Sequence, residues 1–141
     1  MKKTAVIYWS GTGNTEAMAN AVLEGMKEAG ADAVMLTPDA VTPADISSFA
    51  AIAFGCPAMG SEVLEEIDFE PMFSACQNSL GGKAVALFGS YGWGDGEWMR
   101  AWEDDCRAAG AKLACESVIC CEAPDDAALG ACCALGKMLA E

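Results

Sequence analysis

Three stretches leave this chain few folds to choose from. Lys3 to Trp9 (K-T-A-V-I-Y-W), Ala50 to Cys56 (A-A-I-A-F-G-C) and Lys83 to Gly89 (K-A-V-A-L-F-G) are β-prone and apolar almost throughout. A strand with one wet face alternates polar and apolar residues, whereas a strand apolar on both sides is covered on both sides. Helical stretches separate them. From Thr15 to Ala29, Met18, Val22, Met26 and Ala29 recur near the 3.6-residue period, and Gly30 stops the helix. Ala31 to Leu36 is a second short strand. Thr42-Pro43-Ala44-Asp45 starts a helix, with Thr as cap and Pro at the first helical position. An acidic loop-to-helix stretch runs from Met59 to about Leu80 and breaks at Gly81-Gly82. Glu97 to Ala109 is a helix closed by Gly110, Lys112 to Cys121 is strand five, and Pro124 opens a last helix with Asp125 and Asp126 in its first turn, where the helix dipole favours anions. Strands and helices alternate five times. The expected class is α/β: a doubly wound five-stranded parallel sheet with helices on both faces, in one domain over residues 1–141.

Composition removes several functions. With 53% hydrophobic and 21% charged residues the chain is not disordered. At this length roughly 68% of the unfolded surface is buried on folding, so no disulfide or structural metal is required. Eight Lys and Arg against 21 Asp and Glu give a net charge of −13. That balance repels phosphate backbones, which argues against nucleic acid and anionic membranes as partners. There is no His, so the commonest general base and metal ligand is missing. No apolar run is long enough to span a bilayer. The basic Met1-Lys2-Lys3 start is followed by too short an apolar stretch for a signal peptide, so a cytoplasmic protein is expected.

The eight cysteines are Cys56, Cys76, Cys106, Cys115, Cys120, Cys121, Cys132 and Cys133. No CxxC pair occurs, and neighbours such as Cys120 and Cys121 in a strand point to opposite faces. The expectation is free thiols serving as small apolar fillers, with no metal.

In a doubly wound sheet, ligands bind beyond the carboxyl ends of the strands. Three loops there are chemically unusual. In Ser10-Gly11-Thr12-Gly13-Asn14-Thr15, short polar side chains and two glycines feed a helix N-terminus, which suits an anion. The triphosphate signature G-x-x-x-x-G-K-[ST] is absent, and no Lys or Arg occurs from Thr4 to Met26. The third glycine of a dinucleotide fingerprint is also absent, since Glu16 stands there. The implied anion is a lone monophosphate held by neutral donors; a plain capping turn is the competing reading of this loop taken alone. In Ser90-Tyr91-Gly92-Trp93-Gly94-Asp95, a Trp flanked by glycines is placed to stack on a flat ring, or else to fold back over the core. The middle loop, Pro57-Ala58-Met59-Gly60-Ser61-Glu62, supplies a thioether, a free glycine and a carboxylate able to accept a ring N–H. Trp98 and Trp102, four apart on a helix, face the core.

Together, in this order, the three loops resemble flavodoxin, and the similarity runs essentially end to end, including Tyr8-Trp9 before the first loop and Gly96-Glu97-Trp98-Met99-Arg100 after the third. The first loop is similar to the family's FMN phosphate loop; the others are similar to the two that grip the isoalloxazine in short-chain flavodoxins of anaerobic bacteria. The resemblance implies strand order 2-1-3-4-5. It also implies that Trp93 stacks on one flavin face, Met59 packs on the other and Glu62 accepts from flavin N3–H. The Gly60-Ser61 peptide would turn its carbonyl toward N5–H when the semiquinone forms. Two departures stand out: Pro57 where relatives often carry Ser, which removes a phosphate contact, and Ser61 where they often carry Asp, which alters semiquinone stabilisation. The extra cysteines have no family role.

The implied function is a low-potential one-electron carrier, shuttling non-covalently bound FMN between semiquinone and hydroquinone and serving basic redox partner proteins as a monomer. The cofactor carries the electron and the protein sets its potential. One unit charge about 10 Å from the ring costs roughly 1.7 kcal/mol at an effective dielectric of ~20. A few carboxylates therefore lower the potential by on the order of 100–200 mV. Two alternatives compete. An FMN-dependent NAD(P)H:quinone or flavin reductase needs a second phosphate site, and Arg100 is the nearest cation to the loops. A non-redox, receiver-like regulatory domain needs acids at the ends of strands one and three, where Tyr8-Trp9 and Gly55-Cys56 stand instead.

Overall fold

The computed structural model describes residues 2–59 and 62–141. Its strands are β1 (Lys3–Tyr8), β2 (Asp32–Leu36), β3 (Ala51–Gly55), β4 (Ala84–Tyr91), β5 (Lys112–Leu113) and β6 (Val118–Cys121). Its helices are α1 (Asn14–Glu28), α2 (Pro43–Ser47), α3 (Phe69–Cys76), α4 (Glu97–Ala108) and α5 (Asp126–Ala140). All pairings in the sheet are parallel, in the order β2-β1-β3-β4-β5, with β6 also on β4. The expected order is therefore observed. Ala5, Ile52 and Val85 lie in register across β1, β3 and β4.

The two faces are filled differently. Ile7, Ile52, Phe54, Val85 and Leu87 pack against Ile46 of α2, Phe69, Met72 and Phe73 of α3, and Trp98 and Trp102 of α4. Phe54–Phe73 and Phe69–Trp102 meet edge to face at 5.3 and 5.4 Å between centroids, a favoured arrangement for aromatic quadrupoles. Both indoles expected in the core are buried there. The opposite face presents Val6, Ala51, Ala53 and Ala86 to α1 and α5. Small side chains on the sheet let these helices lie close to it. The helices also lie close to each other: a methyl on Gly25 would overlap the Cys133 carbonyl, and one on Gly136 the Val22 carbonyl.

Two local expectations need correcting. Strand five is two pieces, making six strands: from Lys112 to Val118 the chain advances six residues while its partner advances only four, Ala84 to Phe88. Ala114 N still donates to Val85 O (2.9 Å), so the surplus lies at residues 115–117, where Ser117 Oγ donates to Glu103 Oε2 of α4 (2.6 Å). The last helix is opened by Asp125, not Pro124. The Asp125 carboxylate accepts from Ala128 N at 2.8 Å, so cap chemistry sets the boundary. Among the described residues the acidic stretch from Met59 runs from loop into helix as expected, with α3 eight residues long and followed by a short 3₁₀ turn at Gln77–Ser79. The Thr42-Pro43 start is observed, with Thr42 N donating to Asp45 Oδ2 at 2.8 Å.

All eight cysteines are free thiols. Cys56, Cys76, Cys106 and Cys132 are buried, as fillers should be. Burial pushes the thiols of Cys56, Cys106 and Cys132 up to about 12 and raises those of Cys76, Cys115 and Cys120. Among the described residues no group of three or more His, Cys, Asp or Glu is placed to hold a metal ion.

Two outcomes are expected. Gly136→Ala destabilises the chain by about 1–3 kcal/mol through overpacking against α1, measured as a lowered midpoint in urea unfolding. At pH 8 a disulfide reagent modifies Cys121, the exposed thiol, first, and reaches Cys56, Cys76, Cys106 and Cys132 only after denaturation. Cys121→Ser removes the fast phase.

Candidate functional site

The carboxyl ends of β1, β3 and β4 are held side by side by hydrogen bonds that continue past the strands. Trp9 N donates to Gly55 O (3.0 Å), Cys56 N to Phe88 O (3.2 Å), Ala58 N to Ser90 O (3.0 Å) and Glu122 N to Tyr91 O (2.7 Å). The loops that leave these ends therefore share one cleft, of about 530 Å³, within the range of small-molecule sites. Its walls carry Gly11, Thr12 and Asn14 from the first loop, Pro57, Ala58 and Met59 from the second, and Ser90, Tyr91 and Gly92 from the third. Trp9, Glu122 and Ala123 complete it.

The first loop is built as an anion seat. Gly13 adopts φ 95°, a left-handed conformation that glycine takes without strain, and α1 follows with no side-chain cap. The first-turn amides of α1 have no intrahelical acceptor, which is the property that suits a phosphate. Ser10 Oγ accepts from Gly13 N at 3.0 Å and shapes the turn. Thr15 is buried, with its hydroxyl 3.3 Å from that of Ser90, so the helix start is tied to the end of β4. Tyr8 Oη donates to Glu16 Oε2 (3.1 Å), and burial first, then this carboxylate, raises the phenol.

Ser90 and Tyr91 are the last two residues of β4, not loop residues as expected. Backbone pairing to Cys120 and Cys121 extends the strand that far. Tyr91 leans on Trp98 at 5.5 Å between ring centroids, and Trp98 Nε1 donates to Cys56 O at 3.1 Å. Trp93 is 63% exposed, packed neither into the core nor among the residues that line the cleft. A Trp left so open is available to a flat ligand or partner. Asp95 is engaged with Arg100, whose Nη2 lies 2.9 Å from Oδ1. Arg100 is thereby held by its own loop.

Glu62 does not line the cleft; it borders a smaller hollow with Trp98 and Trp102. Its backbone sits at φ 58°, and its carboxylate lies against Gly94, where a Cβ would collide with it. Oε1 is buried with no hydrogen-bond partner among the described residues. A buried acceptor without a donor is costly, and a ligand N–H would relieve that cost. Gly94 (φ 87°) thus serves a close approach between the second and third loops. The expectation for Gly60-Ser61 lies outside the described residues. Met59 is described, paired with Val63 in a short antiparallel bridge (Met59 N to Val63 O, 2.8 Å).

Three residues escaped the sequence reading. Glu122 and Ala123 wall the cleft from beyond β6; the rule that ligands sit past strand ends applied equally to strand five, but no residue chemistry there drew notice. Glu65 is 4% exposed and accepts three backbone N–H groups, from Ile67 to Oε2 and from Asp68 and Phe69 to Oε1, each at 2.8 Å. Burial raises its carboxyl, and the three amides outweigh that and hold it below the usual carboxylate range. In a stretch with four other acids it carried no distinguishing mark.

A family model described as Flavodoxin matches residues 6–136. The flavodoxin of Megasphaera elsdenii is 48% identical over 122 residues, covering 86% of this chain and 88% of that protein. The flavodoxin of Clostridium beijerinckii is 42% identical over 135 residues, covering 96% and 97%. Among solved structures, two-electron reduced Megasphaera elsdenii flavodoxin superposes with a TM-score of 0.89 at 46% identity, over 97% of this chain and 98% of that one.

Proposed function

This chain belongs to the flavodoxin family, and from that premise we propose that it is an electron carrier, not an enzyme in the usual sense, which holds FMN non-covalently in the cleft at the ends of β1, β3 and β4. FMN, when bound, takes up and returns electrons one at a time. The observation that carries this reading is the convergence of three chemically distinct loops on one cleft. The first loop brings the uncapped amides of α1 and the second brings Met59 to the cleft wall, while the Glu62 carboxylate and the exposed Trp93 indole stand on the second and third loops outside that wall.

The residues divide the work. Ser10, Gly11, Thr12, Gly13, Asn14 and Thr15 seat the phosphate on neutral donors, with the dipole of α1 behind them. Pro57 and Ala58 form the wall beside Met59, which packs on the ring. Glu62 accepts a ring N–H, and Gly94 leaves room for its carboxylate. Gly60 and Ser61 remain assigned from the family resemblance. Trp93 covers the other ring face, with Ser90, Tyr91, Gly92 and Asp95 framing it. The net charge of −13 raises the cost of each added negative charge in the cleft, and so lowers the potential. The same field steers basic surfaces of redox partner proteins into weak, salt-sensitive encounters. The carrier works as one domain over residues 1–141, as a monomer without metal, in the cytoplasm, a setting that suits eight free thiols.

A reductase reading is disfavoured by Arg100. It is the cation nearest the loops, and Asp95 already occupies it through both side chain and carbonyl.

Two results are expected. FMN added to the metal-free chain is bound with quenched fluorescence, and Trp93→Ala weakens that binding about tenfold to a hundredfold, from the ~1.5–3 kcal/mol that a large apolar contact contributes. An unchanged affinity removes Trp93 from the site. Mixed with NADH or NADPH alone in a stopped-flow instrument, the FMN-loaded protein stays oxidised on the seconds scale; rapid bleaching would identify a reductase.

A further inference from the structure

The loop that carries Met59 and Glu62 leaves the sheet at Cys56 and rejoins the fold at Glu65. Those two residues are joined. Glu65 N donates to Cys56 Sγ at 3.4 Å, and the Cys56 thiol donates to Pro57 O at 3.6 Å. Cys56 is itself fixed to the core, through its N–H on Phe88 O and its carbonyl under Trp98 Nε1. On the other side the Glu65 carboxylate grips the amides of Ile67, Asp68 and Phe69, and its carbonyl accepts from Glu70 N at 2.8 Å. Between these anchors the described part of the loop has one internal pairing, Met59 with Val63. Glu62 stands three residues before Glu65, at a positive φ that its surroundings must impose.

We propose that Glu65 is a positioning residue for the cofactor site: with Cys56 as its counterpart it clamps the root of the segment that carries Met59 and Glu62. The clamp holds Met59 and Glu62 where they meet the flavin, although Glu65 does not itself line the cleft. A buried carboxylate satisfied by three amides is a rigid support. A neutral thiol suits the other half, because Cys56 receives the Glu65 N–H while keeping its own proton for Pro57 O. A loop held at its root loses less freedom when a ligand orders its tip, and that saving appears as affinity. The role rests on the electron-carrier reading.

The test compares Glu65→Gln with the wild-type chain in two arms. Glutamine keeps the volume and one acceptor oxygen but turns an NH₂ group toward backbone N–H donors. In the first arm, without FMN, amide exchange at Met59 and Val63 is expected to speed up at least tenfold, while β1 and β3 amides keep their protection. In the second, FMN binds about tenfold more weakly and both one-electron midpoint potentials shift, read by spectroelectrochemistry. Asp45→Ala, which removes the acceptor of the Thr42 N–H at the start of α2 and so destabilises the chain away from the cleft, is the control and should leave both potentials unchanged. Glu65→Asp, whose shorter carboxylate keeps the charge, should recover part of the affinity. Unaltered exchange at Met59 and Val63, or faster exchange with affinity and potentials unmoved, overturns the proposal. Wild-type protein that takes up no FMN overturns the carrier reading and the positioning role with it; the exchange arm, read without FMN, tells this failure from a clamp that does not hold the loop.

Discussion

Everything at the site depends on the parallel pairing of β1, β3 and β4. Parallel strands in register end at the same edge of the sheet. Ala5, Ile52 and Val85 set that register, and the hydrogen bonds from Trp9, Cys56, Ala58 and Glu122 carry it on into the loops. Segments near residues 10, 58 and 91 meet first of all for this reason. Slip any strand by one residue and its core side chains would turn toward the wrong helical layer.

The unequal faces of the sheet serve the same end. Large aromatic residues under α3 and α4 give a stiff layer, and Trp98 sits within it while bonding to Cys56 O at the root of the second loop. Alanines under α1 and α5, with Gly25 and Gly136 between the helices, draw α1 down onto the strands. The position of α1 matters because its uncapped N-terminus is the anion seat. Packing far from the cleft thus aims the donors within it.

Much of this was legible. Apolar runs covered on both faces announced the sheet, and the helix starts and stops followed from capping residues and glycines. The phosphate-type loop and the glycine-flanked Trp93 were readable because their chemistry lies within six consecutive residues. What escaped reading was set either by a distant partner or by a side chain folding back on its own backbone. The break between β5 and β6 comes from the mismatch in advance against β4. Asp125 capped α5 where Pro124 looked the better opener, because a side-chain acceptor at the right reach outweighs a preset φ. Glu65 looked like one acid among many until folding buried it over three amides.

The amino-acid order alone determined the alternation of strands and helices, the strong negative charge, the lack of imidazole chemistry and the identity of the three loops. These are local properties, written in periodicity and residue type. Only the tertiary structure decided that Ser90 and Tyr91 end a strand, that Glu122 and Ala123 wall the cleft, that Arg100 is held by Asp95, and that one oxygen of Glu62 is buried without a donor among the described residues. Apart from the Asp95–Arg100 pair, five residues apart, each depends on which groups meet across long stretches of chain, and that is settled by how side chains pack, not by their order.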